Sequence, residues 1–265
     1  MLEKKYNHLK EIFAELQSVV VAFSGGVDSS LLLKVAVETL GDKAIGVTVV
    51  SPSQPVYERE DARKIAQHIG AHHDFVQSHE LNDPDYRANP PGRCYFCKVE
   101  ICRQLFDYAT LNGFQHVVDG TNVDDSGDFR PGQKAAQEFG MRSPLKEAGF
   151  TKIEIKQLSQ KLGLPNWDRP SNACLASRIP YGTPITEQVL AQVGKAEDEL
   201  RKLGLRQFRV RHHGSVARIE VPSDFFEVVV ANKNIIINKF KEIGYNYITL
   251  DLAGFRSGSM NEVIK

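Results

Sequence analysis

Four cysteines are spread unevenly over the 265 residues. Cys94 and Cys97 form a C-x-x-C pair within RCYFCK, Cys102 follows shortly after, and Cys174 stands alone in PSNACLASRIPYG. A thiolate attacks electrophiles and binds soft metals, so the pair reads as a redox couple, half of a zinc site, part of an iron–sulfur site or two buried thiols. Cys174 lies in a Pro-bounded polar stretch near Arg169 and Arg178, cations that favour a thiolate. Cys94, Cys97 and Cys174 together supply three thiolates, which would leave one iron of a four-iron cluster open. Cys102, among Val99, Ile101, Leu105 and Phe106, reads as a core thiol.

The second reactive feature is VVVAFSGGVDSS, Val19 to Ser30. Its glycines let backbone amides approach an anion, and free amides at a helix start favour phosphate oxygens. Ser24, Ser29 and Ser30 add hydroxyl donors. The Walker pattern with its phosphate-reaching lysine is absent, so cleavage between the β and γ phosphates is not expected. A third feature, VVDGTNVDD from Val117 to Asp125, carries Asp119, Thr121, Asn122, Asp124 and Asp125.

These groups need elements to position them. Val19–Phe23 and Ala44–Val50 are continuous apolar runs of strand length, Phe75–Val76 and His116–Val118 are further strand candidates, and helical spacing covers Leu2–Leu16, Leu31–Val37, Glu58–Ile69 and Val99–Leu111. The alternation predicts an α/β fold with parallel β-α-β units, placing both loops where such sheets bind ligands. After a Pro/Gly cluster at Ile179–Pro184, the spacing predicts helices over Glu187–Leu203 and Ile235–Ile243, with strands at Gln207–Arg211, Ala217–Val221 and Tyr247–Leu250. The expected division is therefore 1–184 and 185–265, the latter a smaller α+β domain. Arg209 and Arg211 alternate on one strand face, where two guanidinium groups can hold a phosphate.

Lysine plus arginine equals aspartate plus glutamate at 33 each. That balance argues against a polyanion binder relying on bulk charge, so no nucleic-acid partner is expected. The N-terminal MLEKKYNHLKEIF lacks the apolar core of a signal peptide and no run spans a membrane, so the expected location is the cytoplasm, where disulfides are rare.

The Ser24–Ser30 loop resembles the PP-loop of ATP pyrophosphatases, which cleave ATP between the α and β phosphates. That resemblance implies that Ser24, Gly25, Gly26, Asp28, Ser29 and Ser30 bind ATP and that Asp28 and Asp125 hold Mg2+. With RCYFCK, DGTNVDD, the RSPL starting at Arg142, SNACLASRIPYGT and the RVRH starting at Arg209, nearly the whole chain resembles the LarE family of ATP-dependent sulfur transferases. The resemblance implies that the carboxylates of pyridinium-3,5-dicarboxylate mononucleotide are adenylated and converted to thiocarboxylates, giving the nickel-pincer nucleotide precursor. It adds Thr121 and Arg142 to the ATP site and gives Arg209 and Arg211 the substrate phosphate. Ser177 and Arg178 are further substrate contacts, and Lys98 offsets negative charge during adenylation.

Members with three cysteines are associated with a four-iron four-sulfur cluster, so Cys94, Cys97 and Cys174 are its expected ligands. Members with only the last cysteine give up its sulfur. The resemblance also implies a homo-oligomer, with a hexamer as the candidate assembly, a C-terminal domain for substrate binding and oligomerisation, and a sulfide donor as partner. Some tRNA thiolases also combine this loop with cysteine-bound clusters, an NAD synthetase-like ligase gives three cysteines no role, and a nucleotide sensor needs only the loop.

Overall fold

The computed structural model describes residues 2–127, 131–170 and 172–256. In their described parts, Met1–Ser51, Val56–Glu80 and Gly92–Ser171 make one compact unit, and Pro52–Pro55, Leu81–Pro91 and Asn172–Lys265 make a second. The packing thus groups the Cys174 loop, which precedes the expected boundary at 184, with the second unit. Among the described residues no helix is long and apolar enough to cross a membrane.

The first unit is built on four parallel strands, β1 (Val19–Ala22), β2 (Ala44–Val50), β3 (His72–Gln77) and β4 (His116–Val118), in the order β3-β2-β1-β4. Successive side chains of a strand point to opposite faces, and here both faces are covered. Val19 and Val21 join the cluster formed with helices Leu2–Leu16, Val27–Leu40 and Lys152–Lys161, whereas Val20 joins Cys102, Leu105 and Ala109 of helix Arg93–Leu111. Sequence order proceeds from β1 outward to β3 and then returns to β4 on the other side of β1. The crevice beyond the carboxyl ends of β1 and β4 is therefore a topological switch point, the usual ligand position in such sheets.

β3 is longer than its expected core of Phe75 and Val76 because His72, Asp74 and Gln77 are exposed on an edge strand and give no apolar signal. The helix expected from Val99 begins at Arg93, immediately after N-cap Gly92. Cys94 and Cys97 consequently lie in its first turns rather than in a preceding loop.

In the second unit, β5 (Arg209–His213) pairs antiparallel with β6 (Val216–Glu220), which pairs in parallel with β7 (Tyr247–Leu250). Helices Glu187–Lys202 and Lys233–Ile243 close its core through Ala196, Leu200, Ile236 and Phe240. The Cys174 loop is tied to neighbouring segments of the same unit. Leu175 N–H donates to the Ser53 carbonyl at 2.7 Å, and buried Asn89 donates to Pro180 and Thr183 carbonyls at 2.8 and 3.0 Å.

Candidate functional site

The phosphate loop connects β1 to helix Val27–Leu40. Gly25 has φ +71°, and a β-carbon there would lie 3.0 Å from the Ala62 Cα, so both backbone conformation and close approach require glycine. Ser29 Oγ meets Ser24 Oγ at 3.2 Å and donates to the Gly26 carbonyl at 3.2 Å, closing the turn on itself. Gly26 occupies the N-cap without a side chain to cap the first-turn amides. This is the anion-accepting end of a helix aimed at the switch-point crevice.

The loop after β4 adjoins it. A β-carbon on Gly120 would stand 3.0 Å from Ser29 N and 3.1 Å from Asp28 Cβ, so the Asp119–Asp125 segment lies directly against the start of the phosphate-loop helix. Asp119 accepts from Ser143 Oγ at 2.8 Å and Thr121 N–H at 3.2 Å, and faces Lys98 Nζ at 3.4 Å. Asp125 accepts from Asn122 N–H at 3.0 Å. Arg142 extends the sheet edge through a parallel bridge to Val118, and its guanidinium pairs with Glu147.

Two side chains overlooked in the sequence reading complete this half. Lys152 Nζ pairs with Asp28 Oδ2, while Asp28 Oδ1 is buried without a partner among the described residues. Asn166 donates to the Gly25 carbonyl at 2.9 Å and to Ser30 Oγ at 3.0 Å, bracing the loop from behind. The T-x-x-E from Thr151 to Glu154 is a capping box and was the available signal for the helix that presents Lys152. Asn166 had no such local signal.

Behind Phe23, Thr48 Oγ1 donates to the Phe23 carbonyl at 2.6 Å and meets His73 Nε2 at 2.8 Å. With its hydrogen committed, the hydroxyl must accept from His73, which assigns the proton to Nε2. Burial lowers the His73 pKa to about 4, so the ring stays neutral near pH 7.

Cys94 is exposed and Cys97 partly buried, one turn apart on the same helix face. Cys97 Sγ–H donates to Glu80 Oε2 at 3.2 Å. Glu80 is buried and also receives Ser51 Oγ–H. Cys102 is fully buried, and burial raises its pKa, as suits a core thiol.

In the second unit Cys174 is exposed. Arg178, expected to meet substrate, is instead fully buried in a bidentate pair with Glu197, at 2.7 and 3.1 Å. Arg169, the other cation invoked beside Cys174, belongs to the first unit and pairs there with Asp61 at 3.1 Å. Arg211 is similarly buried, with both contacts to Glu220 at 3.0 Å, while Ser177 Oγ accepts from Arg178 at 2.8 Å.

Arg209 is different. It stacks on Phe255 at 4.5 Å and donates to the Arg256 carbonyl at 3.1 Å. Desolvation, then the positive charges of Arg211 and Arg178, lower its pKa to about 10. Such a cation is suited to an anion. No group of three His, Cys, Asp or Glu side chains arranged to hold a metal occurs among the described residues.

Comparison with known proteins separates the fold from the chemistry. NAD synthase is the family matching residues 2–86. The NH3-dependent NAD+ synthetase of Methanococcoides burtonii is 39% identical over 57% of this chain and 59% of its own. Pyridinium-3,5-bisthiocarboxylic acid mononucleotide synthase of Lactiplantibacillus plantarum is 40% identical over 94% of this chain and 91% of its own. The chain belongs to this synthase family, LarE. An uncharacterised Synechocystis protein, 47% identical, matches 100% of this chain and 99% of its own. LarE membership makes the chain an enzyme of the ATP-using PP-loop class, consistent with the loop at the sheet's switch point.

Proposed function

We propose that this LarE protein adenylates the carboxylates of pyridinium-3,5-dicarboxylate mononucleotide and replaces the activated oxygen with sulfur. The observation that carries the reading is the conjunction, within one chain of this family, of a PP-loop at the switch point and an exposed thiol at Cys174. A carboxylate oxygen attacks the α-phosphorus of ATP, and pyrophosphate leaves. A sulfur nucleophile then adds to the acyl carbon, and AMP departs with the activated oxygen. Repetition at the second carboxylate gives the bisthiocarboxylate.

In the first unit, Ser24, Gly25, Gly26, Ser29 and Ser30 receive the phosphates, with Thr121 and Arg142 flanking the nucleotide. Asp28 and Asp125 hold Mg2+, and the unpartnered Asp28 Oδ1 supports this assignment. Lys98 stabilises charge at the reacting phosphate. In the second unit Arg209, backed by the ion-paired Arg211, takes the substrate phosphate. Ser177 and Arg178 act on the Cys174 loop. The test is pyrophosphate release that depends on the dicarboxylate mononucleotide; ATP binding without such release would indicate a sensor.

For the sulfur source, Cys94 and Cys97, one helical turn apart, and the exposed Cys174 would be the three thiolate ligands of a four-iron four-sulfur cluster, a reading supported by their ligand chemistry alone. When bound, such a cluster would supply a sulfide equivalent and so spare Cys174, with a sulfide donor as the implied partner. Anaerobic reconstitution with iron and sulfide analysis tests it. Exposed Val230, Ile235 and Tyr247 in the second unit support self-association, and a homo-oligomer in the cytoplasm completes the proposal.

A further inference from the structure

We propose that Arg178 is a positioning residue for Cys174, holding the backbone of its loop so that the thiol is presented in one place. The proposal rests on the reading of Cys174 as the residue that handles sulfur. Arg178 Nη1 donates to the Ala173 carbonyl at 2.8 Å, the Cys174 carbonyl at 3.3 Å and Ser177 Oγ at 2.8 Å. Nη2 reaches Asn172 Oδ1 at 3.3 Å, and the remaining donors form the pair with Glu197.

A guanidinium has five N–H donors, and here every nitrogen has an acceptor. An incoming substrate anion would have to displace a buried partner to gain a contact. The geometry therefore gives Arg178 a mechanical task.

The anchor is itself anchored. Glu197 Oε1, besides taking Arg178 Nε–H, accepts Val210 N–H of β5 at 3.0 Å. At the other end of the loop, the Ser177 carbonyl accepts from Arg211 Nη1 at 2.7 Å, while Arg211 is held by Glu220 of β6. Two buried arginine–glutamate pairs of zero summed charge thus join the loop to one helix and two strands. Buried pairs of this kind fix geometry more reliably than they add stability. The loop backbone is fixed while the Cys174 side chain stays exposed.

Arg178→Lys retains a cation for Glu197 but lacks the planar fork needed to serve the loop simultaneously. Hydrogen exchange over 172–179 in the full chain should accelerate at least about tenfold, without change over β5 and β6. Single-turnover thiocarboxylate formation should slow by about 100-fold with the half-saturating mononucleotide concentration unchanged. A raised half-saturating concentration with an intact maximal rate would make Arg178 a substrate contact and overturn the proposal, as would unchanged exchange over 172–179.

Should Arg178→Lys also lose protection in β5, Ser177→Ala removes one acceptor and leaves the Glu197 pair intact. It should accelerate exchange over 172–179 about threefold; no acceleration overturns the proposal. Wild-type thiocarboxylate formation by Cys174→Ser would instead overturn the reading of Cys174, an outcome distinct from the exchange result.

Discussion

Lys152 forms an ion pair with Asp28 in the first turn of the phosphate-loop helix, 124 residues away in sequence. The same residue's N–H donates to Asp124 Oδ2 at 2.7 Å, so one helix start is joined to both loops of the nucleotide half-site. Asp28 would hold Mg2+ together with Asp125, and with that carboxylate engaged the Lys152 ammonium would be available to the phosphates.

Lys152→Ala should therefore weaken ATP binding about tenfold, the loss of one charge-assisted contact. Calorimetric titration with Mg2+ present checks it, and an unchanged Kd would remove Lys152 from the nucleotide site.

Gly25→Ala forces a side chain into a left-handed conformation at φ +71° and against Ala62. The melting temperature should fall by roughly 3–8 °C and ATP binding should be lost. Retained ATP affinity would mean that the loop can rearrange without this turn.

Arg209 offers a pH-dependent test. Its folded pKa of about 10 lies below the ordinary 12.5, so folding disfavours the charged form. That cost is fully present below about pH 10 and fades as the pH rises toward 12.5, whereas a bound phosphate opposes it at neutral pH. Millimolar inorganic phosphate should raise the wild-type melting temperature at pH 7 and leave Arg209→Met unaffected. Affinity for phosphate should fall as the pH passes about 10. Equal stabilisation of both proteins would place the anion elsewhere.

Buried Glu80 accepts a hydrogen bond from Cys97 Sγ at 3.2 Å, and a side-chain amide in its place is a weaker acceptor for that thiol. Glu80→Gln should speed Cys97 alkylation by iodoacetamide about tenfold at pH 7, read peptide by peptide with Cys94 as internal reference. An unaltered ratio would show that the carboxylate does not control this thiol.

Much of the fold was legible because buried parallel strands are continuous apolar runs: Ala44–Val50 and His116–Val118 have the expected limits, and so has the half-exposed Tyr247–Leu250, whose aromatic and β-branched residues favour a strand. The polar outer positions of edge strand β3 concealed most of its length. The PP-loop, the C-x-x-C pair and the Cys174 segment were legible as local motifs. The side chains that hold the Cys174 loop were not, because Arg178 and Arg211 find Glu197 and Glu220 on other elements of the tertiary fold. A sequence shows an arginine near a cysteine but not whether its charge is already matched.

The central claim is that this chain converts carboxylate to thiocarboxylate without consuming itself. The most direct measurement supplies the anaerobically reconstituted protein with ATP, Mg2+, sulfide and pyridinium-3,5-dicarboxylate mononucleotide, then follows product and intact protein mass by mass spectrometry. The expected result is thiocarboxylate, AMP and pyrophosphate with every cysteine retained. Absence of thiocarboxylate would contradict the sulfur-transfer claim, and product accompanied by loss of Cys174 sulfur would contradict the claim that the protein is spared.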